Sequence, residues 1–160
     1  MRILFVCLGN ICRSPTAEGV MRHLVREEGL EDAIEIDSAG TGGWHVGAPP
    51  DERATATAQK RGIVLEGAAR KFSRRQFDTF DLILAMDKDN RRELMAMAPD
   101  DEARAKVRLL REFDPASDGS TDLDVPDPYY GGDEGFEHVL DLVDAATRGL
   151  IAELRADGRV

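Results

Sequence analysis

The sequence is short of cysteine, of aromatic side chains and of long apolar runs, and each shortage narrows what the chain can be. Two cysteines in 160 residues cannot build a disulfide scaffold, so a reducing, cytoplasmic setting is expected. The longest uninterrupted apolar run is Ile3–Leu8. It is too short for a membrane span or for the core of a signal peptide, and no small-residue cleavage site follows it. Basic residues are outnumbered, 21 Lys and Arg against 31 Asp and Glu, for a net charge of −10. That balance argues against nucleic acid or an anionic membrane as the main partner. It leaves room for a small anion held by local donors. The GxxxxGK[ST] pattern of nucleotide hydrolysis is absent. Neither cysteine has a second ligand pair at zinc spacing, so no metal and no cofactor are expected. An apolar content of 42% with 32% charged residues is that of an ordinary folded chain, and the length suits one domain over 1–160.

What is present alternates between two periodicities. Residues 2–7 (RILFVC) read as a buried strand ended by the turn LGN. From Pro15 the pattern becomes helical, with Ala17, Val20, Met21, Leu24 and Val25 on one face and a stop near Gly29. Residues 33–38 form a second strand, followed by the glycine-rich loop AGTGGWHVGAPP and a helix over 51–61. FDLILAM (80–86) is a third strand and DKDNRRELMAMA a capped helix. KVRLL (106–110) is a short fourth strand, and 136–155 a final amphipathic helix. The loop between, 113–135, is too long for a mere connection. The alternation predicts a three-layer α/β fold: a four-stranded, mostly parallel, twisted sheet with helices on both faces. Ligands of such folds sit beyond the carboxyl ends of the strands. Cys7 ends the first one.

The turn that follows, CLGNICRS, carries the chemistry. A strand-to-helix turn aims several backbone N–H groups at one point, backed by the helix dipole, and so makes an anion site. Gly9 removes bulk there, and Arg13 adds a fork of donors matched to two phosphate oxygens. The same field favours a thiolate at Cys7. A thiolate inside a phosphate cradle points to attack on phosphorus through a phosphocysteine intermediate. Taken alone, a free cysteine is more simply a small core residue; the glycine, arginine and serine that follow favour chemistry.

VCLGNICRSPTAE, with Cys7 and Arg13 as the ends of a CxxxxxR signature, resembles the low-molecular-weight protein-tyrosine phosphatases. DSAGTGGWHVG (37–47), FDLILAMDKDN (80–90) and VPDPYYGG (125–132) extend the resemblance in the family's order over nearly the whole chain, and WHVG is similar to bacterial members. The resemblance implies that Cys7 is the nucleophile, Arg13 binds phosphate and Asp127 is the general acid and base, with Leu8, Gly9, Asn10, Ile11, Cys12 and Ser14 completing the loop. Asn10, Ser14 and Ser38 support that loop. Leu8, Ile11, Trp44, Tyr129 and Tyr130 form the walls of a phenyl slot. Asp122 and Asp124 are rivals of Asp127 without its context. Ile11 stands where related phosphoarginine phosphatases carry threonine, which favours phosphotyrosine. Gly67 stands where the family often places a histidine, putting loop rigidity in question. Cys12 reads either as a buried small side chain or as the partner of Cys7 in a reversible disulfide. His23, His45 and His138 read as surface or packing residues.

The implied substrates are phosphotyrosine-containing proteins, with inorganic phosphate or another oxyanion in the loop, and a monomer is expected. Rival readings are weaker. An arsenate reductase relay needs downstream cysteines, and none follows Cys12. A phosphocysteine carrier has no use for the DPYY loop. A silent phosphotyrosine-binding module would be marked by loss of the nucleophile or the acid, and both are present.

Overall fold

The computed structural model describes residues 1–160. Four strands, β1 (Arg2–Cys7), β2 (Glu35–Gly40), β3 (Leu82–Ala85) and β4 (Val107–Leu109), form one sheet in the order β2-β1-β3-β4. All three pairings are parallel, so the sheet is wholly rather than mostly parallel. Parallel strands need covered crossovers, and five helices supply them: α1 (Arg13–Glu27), α2 (Glu52–Gln59), α3 (Gln76–Thr79), α4 (Lys88–Met97) and α5 (Asp101–Ala105), while α6 (Asp133–Ala156) follows the last strand. None is long and apolar enough to cross a membrane.

Because side chains alternate along a strand, β1 feeds two cores. Ile3, Phe5 and Cys7 pack with α1 and α6 on one face. Leu4 and Val6 join Phe72, Phe77, Phe80 and Leu94 on the other. The apolar faces expected of α1 and α6 are the buried ones.

Several boundaries shift for physical reasons. Helix α1 begins at Arg13, two residues before Pro15, and Gly29, at φ 70°, ends it. Helix α6 begins at Asp133, three residues earlier than expected, with Asp133 and Glu134 in its first turn, where the helix dipole favours acids. The strands after β1 are trimmed or displaced by up to two residues. Helices α3 and α5, with 3-10 turns at Leu110–Phe113 and Pro115–Ser117, were not expected. Segments of three to five residues are too short to show a periodicity. From Asp118 to Gly132 the long loop has no helix or strand.

The sheet order places the functional end. The chain leaves β1 for β2 on one side, while β3 lies on the other, so the crevice between the loops after β1 and β3 is the topological switch point. Cys7 ends β1 at that crevice.

Candidate active site

Five residues, Leu8–Cys12, join β1 to α1. The turn depends on Asn10, whose φ of 56° is left-handed, a region asparagine tolerates better than most residues. That geometry aims the Asn10 N–H at Cys7 Sγ, 3.3 Å away. Ser14, in the first turn of α1, has its Oγ 3.0 Å from the same sulfur. Asn10 Nδ2 donates to Ser14 Oγ at 2.8 Å and to Ser38 Oγ at 3.0 Å, and its Oδ1 accepts from the Arg70 N–H. The three residues expected to support the loop are thus one buried network. From below, the Thr41 and Gly42 N–H groups donate to the carbonyls of Cys7 and Leu8. Glycine is required at position 40, where a Cβ would lie 2.7 Å from the Leu8 carbonyl oxygen.

Arg13 is held rigidly, with 4% of its side chain exposed. Its Nη1 donates to Asp87 Oδ2 at 2.5 Å and to the Val125 carbonyl at 3.0 Å. Its Nη2 lies 3.8 Å from Asp127 Oδ2. Burial pulls the Arg13 pKa down, but the negative charges at Cys7 and Asp87 outweigh it and hold the group above its ordinary value. Nε and Nη2 make no hydrogen bond within the protein and remain for two oxygens of a bound anion.

These groups open into a cavity of about 380 Å³. Cys7, Leu8, Gly9, Ile11, Cys12 and Arg13 line its base, and Trp44, His45, Asp127, Tyr129 and Tyr130 its sides. Every residue expected in the slot therefore meets there. The walls are exposed rather than packed: Trp44 is 73% accessible and Tyr130 94%. The Trp44 ring lies so close over Gly42 that a Cβ at residue 42 would come within 1.9 Å of Cζ3. Tyr129 and Tyr130 meet edge to face with centroids 4.9 Å apart.

Asp127 sits between Pro126 and Pro128 with 43% of its side chain exposed. Its Oδ1 accepts from the Tyr129 N–H at 3.0 Å, which leaves Oδ2 facing the cavity base. The rivals are engaged elsewhere. Asp124 accepts from the Lys88 N–H at the start of α4, and Asp122 from the Asp124 N–H within the loop.

Three residues escaped the sequence reading. His45 is a cavity wall, correcting its reading as a surface or packing residue; its ring lies over Gly9 and its centroid is 6.3 Å from that of Tyr129. Its place in the loop beside Trp44 was the available signal. His23 pairs with Glu27, and His138 is exposed, as expected. Asp87 entered the sequence reading only as the first residue of a capped helix; it does cap α4 through Oδ1, but its other oxygen holds Arg13. Its position just past the carboxyl end of β3 was the clue. Glu18 accepts from Ser38 Oγ at 2.7 Å and extends the Asn10 network; burial raises its pKa. It lies one helical turn after Ser14, on the same face. Gly67 adopts φ 96° and contributes no side chain, so the network ends on Glu18 and Arg22. Cys12 is a free, buried thiol whose pKa is pushed up to about 12, chiefly by burial and then by Asp51.

Comparison with known proteins places this geometry among relatives. Residues 2–160 match the family described as low molecular weight phosphotyrosine protein phosphatase. A low molecular weight protein-tyrosine-phosphatase of Streptomyces coelicolor is 52% identical over 154 residues, covering 96% of this chain and 93% of that protein. A protein tyrosine phosphatase of Entamoeba histolytica, crystallised with Hepes in its active site, superposes with a TM-score of 0.92 at 38% identity, covering 100% of this chain and 99% of that one. An arginine phosphatase of Drosophila superposes with a TM-score of 0.90 at 32% identity, covering 98% and 99%. The chain belongs to the low molecular weight phosphotyrosine protein phosphatase family.

Proposed function

We propose that this protein hydrolyses phosphotyrosine in other proteins in two steps, both run by Cys7, Arg13 and Asp127. In the first, the Cys7 thiolate forms a bond to phosphorus as the bond from phosphorus to the phenol oxygen breaks. Asp127, in its acid form, gives its proton to that oxygen, so the leaving group departs as neutral tyrosine. In the second, the Asp127 carboxylate takes a proton from water. The water oxygen bonds to phosphorus, the S–P bond breaks, and inorganic phosphate and the thiolate are released. The negative charge on the equatorial oxygens is met in both steps by loop N–H groups and the free edge of Arg13, preset so that little reorganisation is needed.

The observation that carries this reading is the convergence of three groups on one cavity: a sulfur that accepts from the Asn10 N–H and lies 3.0 Å from Ser14 Oγ, a guanidinium held on one edge only, and a carboxylate oxygen 3.8 Å from it. The Hepes molecule in the Entamoeba active site supports an oxyanion in the corresponding place here. Ile11 and the aromatic walls suit a phenyl ring, which favours phosphotyrosine over the phosphoarginine of the Drosophila relative. Cys12 has a protective part in this reading. A Cys7 sulfenic acid formed by peroxide condenses with the Cys12 thiol, releasing water and leaving a disulfide that a thiol reductant can reopen.

The test is phosphate release from phosphotyrosine, phosphoserine and phosphoarginine peptides, with EDTA throughout. Release selective for phosphotyrosine, abolished in Cys7→Ser while phosphate still binds, is the expected result. Appreciable turnover by Cys7→Ser would end the mechanism. Preference for phosphoarginine would overturn the substrate.

A further inference from the structure

The loop that carries Asp127 has no regular secondary structure from Asp118 to Gly132, yet a general acid must be held within a fraction of an ångström to work. Its carbonyls are held by arginines from three separate elements. Arg13 takes the Val125 carbonyl at 3.0 Å, and Arg53, in α2, takes that of Tyr129 at 2.9 Å. Arg111, in the 3-10 turn after β4, takes two: Nη1 donates to Asp124 O at 2.8 Å and to Asp122 O at 3.2 Å.

Arg111 differs from the other two. Arg13 and Arg53 each also pair with a carboxylate, Asp87 and Asp51. Arg111 has no salt-bridge partner, and its Nε is buried without any hydrogen bond. The protein therefore holds a charged group partly out of water, which is costly, and spends its side-chain hydrogen bonds on two carbonyls of this loop. The Asp122 carboxylate, accepting from the Asp124 N–H, fixes the local turn between those carbonyls. Three residues on from Asp124 is Asp127. Between them Val125 is fully buried, donating its N–H to Met86 O, and Pro126 restricts the backbone. A clamp at Asp122 and Asp124 is thus transmitted through a stiff, short tether.

We propose that Arg111 is a positioning residue for the general acid: by clamping the Asp122 and Asp124 carbonyls it sets where the Asp127 carboxyl meets the leaving oxygen. The inference rests on the reading of Asp127 as the acid. It touches neither the nucleophile nor the phosphate loop, so its loss is read in the leaving group.

The experiment compares kcat/KM, which covers thiolate attack and departure of the phenol, for phenyl phosphate and for p-nitrophenyl phosphate. The latter's phenol leaves readily without a proton. Wild type, Arg111→Met, Arg111→Lys and Asp127→Asn are run together, with inhibition by inorganic phosphate as a check that the loop is intact. Methionine retains much of the apolar stem and removes the donors. A general acid contributes roughly 10²–10⁴-fold, and a displaced one loses part of that. Arg111→Met is expected to lose about tenfold on phenyl phosphate and less than about threefold on p-nitrophenyl phosphate, with Arg111→Lys between it and wild type. Equal losses on both substrates, or no loss on either, would overturn the proposal; the second would mean that the Val125 anchor suffices. If Asp127→Asn itself showed no bias against phenyl phosphate, the assignment of the acid would fail, and the role of Arg111 with it. A biased Asp127→Asn beside an unbiased Arg111→Met would sink the role of Arg111 alone.

Discussion

Removing the charge of Asp87 separates two jobs that one side chain performs. Its Oδ2 takes the Arg13 guanidinium at 2.5 Å, and its Oδ1 accepts from the Asn90 N–H at 2.7 Å to cap α4. Asparagine keeps the cap, because its side-chain oxygen is an equally good acceptor, but takes from Arg13 its nearest charge partner. With charge centres about 4 Å apart and an effective dielectric near 20, the lost attraction is about 4 kcal/mol. Breaking a buried pair on one side costs roughly 3–5 kcal/mol. A neutral oxygen still facing Nη1 brings the expected cost of Asp87→Asn to about 3 kcal/mol. Asp87→Ala loses the cap as well, about 1 kcal/mol more. In urea, with a slope of about 2 kcal/mol per molar, the midpoints should fall by about 1.5 M and 2 M. Phosphate supplies the anion that Arg13 then lacks, so it should stabilise Asp87→Asn more than wild type and narrow the gap between them. An Asp87→Asn variant within about 0.5 kcal/mol of wild type, or a gap that phosphate leaves unchanged, would refute the argument that Asp87 holds Arg13 by charge.

Three further outcomes follow from the network and the second cysteine. The pKa of Glu18 is raised by burial, so its effect on stability is complete below the ordinary glutamate range and is lost as pH rises through the folded value. Measured by denaturant unfolding across that window, wild type should lose stability relative to Glu18→Gln as pH rises; parallel curves would mean the carboxyl is not penalised by its site. Cys12, pushed up to about 12, stays protonated, so iodoacetate should label Cys7 first and phosphate should block it. Cys12→Ser should make peroxide inactivation harder to reverse with thiol, and unchanged recovery would make Cys12 merely structural.

The sequence by itself determined the sheet and the position of its functional end. A short, mostly apolar strand, a glycine turn and a helix start are local patterns, and local patterns are what hydrophobic periodicity and turn chemistry record. The CxxxxxR string and DPYY loop likewise sit contiguously in the chain, so the family resemblance could be carried onto Cys7, Arg13 and Asp127 as candidates before any folding was considered. Only the tertiary structure decided which distant side chains complete them. Asp87 meets Arg13 across 74 positions of chain, Val125 meets it across 112, and Ser38 meets Asn10 across 28. No periodicity encodes such pairs; they form because parallel β1, β2 and β3 bring their carboxyl ends to one edge. His45 was misread for the same reason. A lone histidine in a glycine loop has no pattern of its own, and only the approach of the loop to Gly9 and Tyr129 makes it a wall.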